Sequence, residues 1–117
     1  MADYLMQISY TPAAWAALIK HPQNRMEPVS KVVEKLGGKI TGFWMAFGDH
    51  DLVGILQMPD NVSAAAFAMA IAGGGACTGV KTTPLIGFED GLEAMKKAAT
   101  CGYKPVTAAS SAAAARP

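Results

Sequence analysis

Apolar and polar side chains alternate from the start of the chain. Tyr4, Met6, Ile8 and Tyr10 fall on one face of residues 2–10, with Asp3, Leu5, Gln7 and Ser9 on the other, and that period of two predicts a first strand. Thr11-Pro12 follows, a capping side chain ahead of proline at the first helical position, where the missing N–H costs nothing. Ala13 to Lys20 should form a short helix, broken at His21-Pro22. From about Gln23 to Leu36 the spacing turns helical, with Met26, Val29, Val32, Val33 and Leu36 on one side and Arg25, Lys31, Glu34 and Lys35 on the other. Pro28 inside this run either kinks the helix or marks its first turn. Gly37-Gly38 is a strong stop.

The stretch Thr41 to Met58 carries two apolar runs around the polar corner Gly48-Asp49-His50-Asp51. Strands over Lys39 to Phe47 and Asp51 to Met58, joined by so short a corner, make an antiparallel hairpin. Strict alternation puts Phe43, Met45 and Phe47 on one face of the first strand, with Ile40, Trp44 and Ala46 on the other. The second strand sets Val53 and Ile55 against Leu52, Leu56 and Met58. Both faces are apolar, where a sheet with one solvated face would show polar alternation. The chain's own helices are expected over one face and a second subunit over the other.

Pro59-Asp60-Asn61 ends the hairpin and opens a helix of about Val62 to Ala72, so rich in Ala, Met, Phe and Ile that heavy packing is expected. Gly73-Gly74-Gly75 stops it. Cys77 to Phe88 predicts a fourth strand, which Pro84 confines to an edge or a bulge. Glu89 to Thr100 is a last helix, with Leu92, Met95 and Ala99 at helical spacing. The predicted fold is α+β, a ferredoxin-like βαββαβ arrangement with a four-stranded antiparallel sheet and an added C-terminal helix. Residues 1–100 form one domain in this reading. Residues 101–117 form an Ala/Pro-rich tail with no apolar face to offset ordering entropy, and the tail is expected to be mobile.

Composition sharpens the expectation of a partner. The 117 residues are 51% hydrophobic and 16% charged, and a domain this small buries only a modest fraction of its surface. The surplus points to a homodimer or higher homo-oligomer. A net charge of +1 with mixed signs offers no basic stripe for a phosphate backbone, so nucleic acid is not an expected partner. No apolar run approaches the roughly 20 residues of a membrane span. MADYLMQISY lacks the basic and hydrophobic regions of a signal peptide. The expectation is a cytoplasmic protein with no membrane partner, in which Cys77 and Cys101 are free and buried.

Candidate chemistry concentrates in the corner. His50 lies between Asp49 and Asp51, and a neighbouring carboxylate orients an imidazole and favours its charged form. Neighbours in an extended chain point to opposite faces, so His50 is not expected to touch both. The plainer reading is that Gly48 and Asp49 form the turn and Asp51 bonds backbone amides. His21 has no partner at metal-ligand spacing, with no HxxxH, HExxH or CxxC. A spatial cluster of His21, His50 and a carboxylate is the remaining route to a metal, and neither a metal nor a cofactor is expected. Trp44, Phe43, Met45, Phe47 and Tyr4 can line an apolar pocket or serve as core and interface. Gly73 to Gly75 is no phosphate loop, because it ends a helix and no Lys-Ser/Thr follows.

Glu34-Lys-Leu-Gly-Gly-Lys39, the aromatic strand after it and Gly48-Asp-His-Asp-Leu-Val53 together resemble the GYD domain family of small bacterial proteins, over about residues 2–98. The resemblance implies a ferredoxin-like fold of the dimeric α/β-barrel kind and brings no established activity. Gly48 and Asp51 match the flanks of the family's signature and His50 stands at its tyrosine, so an imidazole replaces a phenol there.

Three functions follow as expectations. The first is a homo-oligomer binding a small apolar or aromatic molecule beside Trp44, with His50 at the pocket rim. The second is a cofactor-free monooxygenase, isomerase or lyase-like enzyme in the same pocket, with His50 as acid/base and Asp51 or Asp49 orienting it. The third is self-assembly without a ligand.

Overall fold

The computed structural model of the chain describes residues 1–107. Most of the expected mobile tail, residues 108–117, lies outside the described residues. The chain divides into two compact units, Met1–Leu85 and the segment from Ile86 onward.

The first unit runs β1 (Ala2–Tyr10), α1 (Pro12–Lys20), α2 (Met26–Lys35), β2 (Lys39–Met45), β3 (Leu52–Met58), α3 (Asn61–Gly73) and β4 (Cys77–Leu85). The strands form one sheet in the order β2-β3-β1-β4, every neighbouring pair antiparallel. This is the expected α+β, ferredoxin-like sheet, with the Pro84 strand at an edge.

The punctuation works as its chemistry dictates. Thr11 Oγ1 accepts the Ala14 N–H at 3.0 Å ahead of Pro12. Pro22 holds His21 out of helical geometry, and residues 21–25 are not helical. α2 therefore starts at Met26 and not near Gln23, which leaves Pro28 in the first turn, where no N–H is needed. Its C-terminus is a Schellman cap, with Gly38 N–H on the Val33 carbonyl at 3.0 Å and Gly37 N–H on that of Glu34 at 2.9 Å. Gly37 has φ +84°, which glycine adopts without cost. Asp60 caps α3 by accepting the Ser63 N–H at 2.7 Å, and that bond holds its carboxyl below the ordinary range.

One face of the sheet meets the helices. Tyr4, Met6, Leu56 and Met58 are buried there against Val33 of α2 and Ala64 and Phe67 of α3. The Tyr4 hydroxyl donates to Asn61 Oδ1 at 2.5 Å, tying β1 to the start of α3. Packing on α3 is narrower than its composition suggests. Ala64 and Phe67 are buried and Ala68 and Ile71 partly so, whereas Val62 and Met69 are exposed. Apolar residues surround this helix, but only one stripe of them reaches the sheet.

β2 departs from strict alternation. Ile40 pairs with Leu56, but Gly42 pairs with Ile55, so Thr41 is an extra residue in the strand, a β-bulge. Beyond it Phe43 faces Gly54 and Met45 faces Leu52, while Trp44 faces Val53. Cross-strand partners share a face, so Ile40, Phe43 and Met45 lie on the helix side and Trp44 on the outer side. That corrects the expected grouping of Ile40 with Trp44. Two glycines make room for the two rings. A Cβ on Gly42 would lie 2.4 Å from the Trp44 indole, and one on Gly54 would lie 2.9 Å from the Phe43 ring. β2 also stops at Met45 rather than Phe47, which is fully exposed.

The second unit holds α4 (Phe88–Thr100), so β4 ends earlier than the expected Phe88 and this residue opens the helix instead. Glu89 and Asp90 in its first turn and Lys97 in its last suit the helix dipole. Phe88, Leu92 and Met95 recur at helical spacing and are exposed. Gly102, with φ +77°, follows its end. No helix among the described residues is long and apolar enough to cross a membrane.

Candidate functional site

The end of the sheet where β1 finishes and β3 begins collects the polar chemistry of the first unit. Asp51 is fixed there by three bonds: its N–H to the Ile8 carbonyl at 2.8 Å, its carbonyl from the Ala46 N–H at 2.8 Å, and its Oδ2 from the Tyr10 N–H at 2.8 Å. The carboxylate thus serves as a backbone acceptor, the plainer of the roles open to it. Asp49 offers its backbone carbonyl to the Ser9 hydroxyl at 3.3 Å. His50 Nδ1 lies 3.5 Å from Ser9 Oγ. No aspartate carboxylate hydrogen-bonds its ring among the described residues.

On the helix side of the same end, a cavity of about 470 Å³ opens between the sheet and the segment joining α1 to α2. Leu18, Phe43, Met45 and Leu52 supply apolar walls, and Trp44 also borders it. Its polar lining is Tyr10, Asn24 and Arg25. A second cavity of about 410 Å³ shares Tyr10, Leu18, Arg25 and Leu52, and continues under the helices to Val29, Ile71 and Cys77. Volumes of this size suit a small organic molecule.

Of the residues expected at a pocket, Phe43, Trp44 and Met45 line this one. Tyr4 does not: it is buried in the core with its hydroxyl on Asn61. Phe47 stands beyond the strand end in solvent. His50 is not among the lining residues of either cavity. The reason is the parity of β1, which puts Ser9 on the outer face and Tyr10 on the helix face. His50 approaches the former.

Tyr10 and Arg25 are the residues that the sequence pattern did not mark. Alternation puts Tyr10 on the helix face of β1 but points to no site there, and helical spacing groups Arg25 with the polar residues of a longer α2. The Tyr10 ring stands edge-on to Trp15, with centroids 5.3 Å apart and planes at 78°. Burial pushes the Tyr10 phenol above the ordinary tyrosine value, with Cys77 and Asp51 adding to the rise and Arg25 opposing it. Burial and then Asp51 likewise push the Cys77 thiol up. Both groups are therefore protonated at neutral pH, and Cys77 is poorly suited to nucleophilic work. Cys77 is half-buried and Cys101 exposed, so the expectation that both thiols are buried fails for Cys101. Among the described residues no three or more His, Cys, Asp or Glu side chains are grouped to hold a metal ion, so His21 and His50 join no such cluster.

The family model described as the GYD domain matches residues 4–97. No curated protein matches the chain.

Proposed function

The chain belongs to the GYD domain family, and we propose that it works as a homo-oligomer which binds a small apolar or aromatic molecule in the cavity beside Phe43 and Met45. The observation that carries this reading is the lining of that cavity: apolar walls from three elements and three polar residues, Tyr10, Asn24 and Arg25. Pockets that hold small organic molecules combine apolar area with a few placed polar groups in this way. The outer face of the sheet supports the oligomer. Leu5, Trp44, Val53 and Ile55 lie together on it, Trp44 is 58% exposed, and an apolar patch of this kind suits the same patch on a second copy.

Uptake of the neutral fluorophore N-phenyl-1-naphthylamine tests the binding reading, together with native mass spectrometry of the purified protein for a retained molecule. Leu18→Trp adds bulk where both cavities meet and should abolish uptake while far-ultraviolet circular dichroism stays unchanged. No uptake by the wild type, or equal uptake by a folded Leu18→Trp protein, would sink the reading.

A further inference from the structure

We infer that the molecule held in this cavity is an anion, an apolar or aromatic body carrying a carboxylate-like group that Arg25 receives. The inference rests on the binding reading above and adds the charge of the ligand. Arg25 borders both cavities. A guanidinium carries five N–H donors in a planar fork suited to carboxylate. Its Nη1 donates to the neutral Gln23 Oε1 at 3.1 Å. The two ion pairs of the described residues, Lys31–Glu27 and Lys96–Glu93, leave it out.

No Asp or Glu lines either cavity. The carboxylate of this end of the sheet, Asp51, has Oδ2 on the Tyr10 N–H. Two further donors border the same space. The Tyr10 hydroxyl has no hydrogen-bond partner among the described residues and is protonated at neutral pH. Asn24 commits its Oδ1 to the Met26 N–H at 2.9 Å, which leaves its amide N–H groups for a ligand. A cavity that offers a cation and two neutral donors, with no acid, is complementary to an acceptor-rich anionic head. Its apolar walls Leu18, Phe43, Met45 and Leu52 suit the body behind that head.

The test compares two probes of nearly equal shape, 1-naphthylacetate and its neutral amide 1-naphthylacetamide, titrated calorimetrically into wild-type and Arg25→Gln protein at low and at high salt. The wild type should bind the carboxylate about tenfold more tightly than the amide, as a charge-assisted bond predicts, and salt should shrink that preference. Arg25→Gln should lose the preference for the carboxylate, and unchanged far-ultraviolet circular dichroism shows that the variant is folded. Equal binding of both probes by the wild type, or a preference that survives in Arg25→Gln, overturns the anionic ligand and leaves the cavity reading standing. If neither probe binds the wild type, both readings fall.

Discussion

Asp51 and Tyr10 are joined through a side chain on one strand end and the backbone of the next, Oδ2 accepting the Tyr10 N–H at 2.8 Å. Together with the two main-chain bonds of Asp51, this pins the corner of the hairpin to the last residue of β1. Asp51→Ala should therefore destabilise the fold by about 1–3 kcal/mol, the usual cost of stranding a partly buried donor, as measured by urea denaturation. Asp51→Asn keeps an acceptor oxygen and should lose less. Equal losses in the two variants would show that the negative charge, rather than the acceptor, is what matters.

Gly38→Ala should be as costly for a different reason. A Cβ there would meet Met58 Sδ at 2.3 Å and the Gln57 carbonyl oxygen at 2.6 Å. The methionine can move, but the β3 backbone cannot without breaking its ladder. A loss of about 1–3 kcal/mol is expected from such overpacking, read as a lower denaturation midpoint. An unchanged midpoint would mean that the α2–β2 joint is looser than its geometry.

Alkaline pH should weaken the fold through Tyr10 and Cys77. Both have folded values above their unfolded ones because burial disfavours the charged form. The folded state therefore holds its protons longer. Stability is fully present below the unfolded values, near 8.5 for cysteine and 10 for tyrosine, and falls as pH rises through the higher folded ones. Denaturation between about pH 8 and pH 11 should show this decline, and Tyr10→Phe should make it shallower at the upper end. A decline of the same slope in Tyr10→Phe would remove the phenol from the account.

Trp44→Glu probes the outer face. The indole lies across Gly42, exposed, in line with Val53 and Ile55. Wild-type protein should sediment as a dimer or larger species, and the variant as a monomer with unchanged circular dichroism, because a carboxylate buried at an interface without a partner is strongly unfavourable. Identical sedimentation of the two proteins would exclude this face from self-association.

How far these features were legible in the sequence depends on whether each is local. Element order and sheet class followed from period and punctuation, because Thr11-Pro12, Gly37-Gly38 and Asp60 act on their own neighbours. The bulge at Thr41 is not local. It exists only against β3, where two residues oppose one, so alternation alone misplaced Ile40. The cavity was half legible. Phe43 and Met45 stood out by type, but Arg25 reached the site only because Pro28 holds α2 to a start at Met26 and leaves Arg25 just outside the helix. His50 stood out by type too, yet the one-residue step between Ser9 and Tyr10 sets it on the other side of the sheet from the cavity.

The bulge at Thr41 has a consequence for how the sheet can grow. β2 and β4 are its two edges. On β2 the extra residue breaks the even row of hydrogen-bonding groups that an incoming strand would need, and on β4 Pro84 lacks the N–H such a strand would seek. A second irregularity, where Thr78 falls out of register with β1, spoils the same edge at its other end. Neither border is a good template for strand addition. An unusually apolar chain is thereby guarded against ribbon-like, fibril-forming extension.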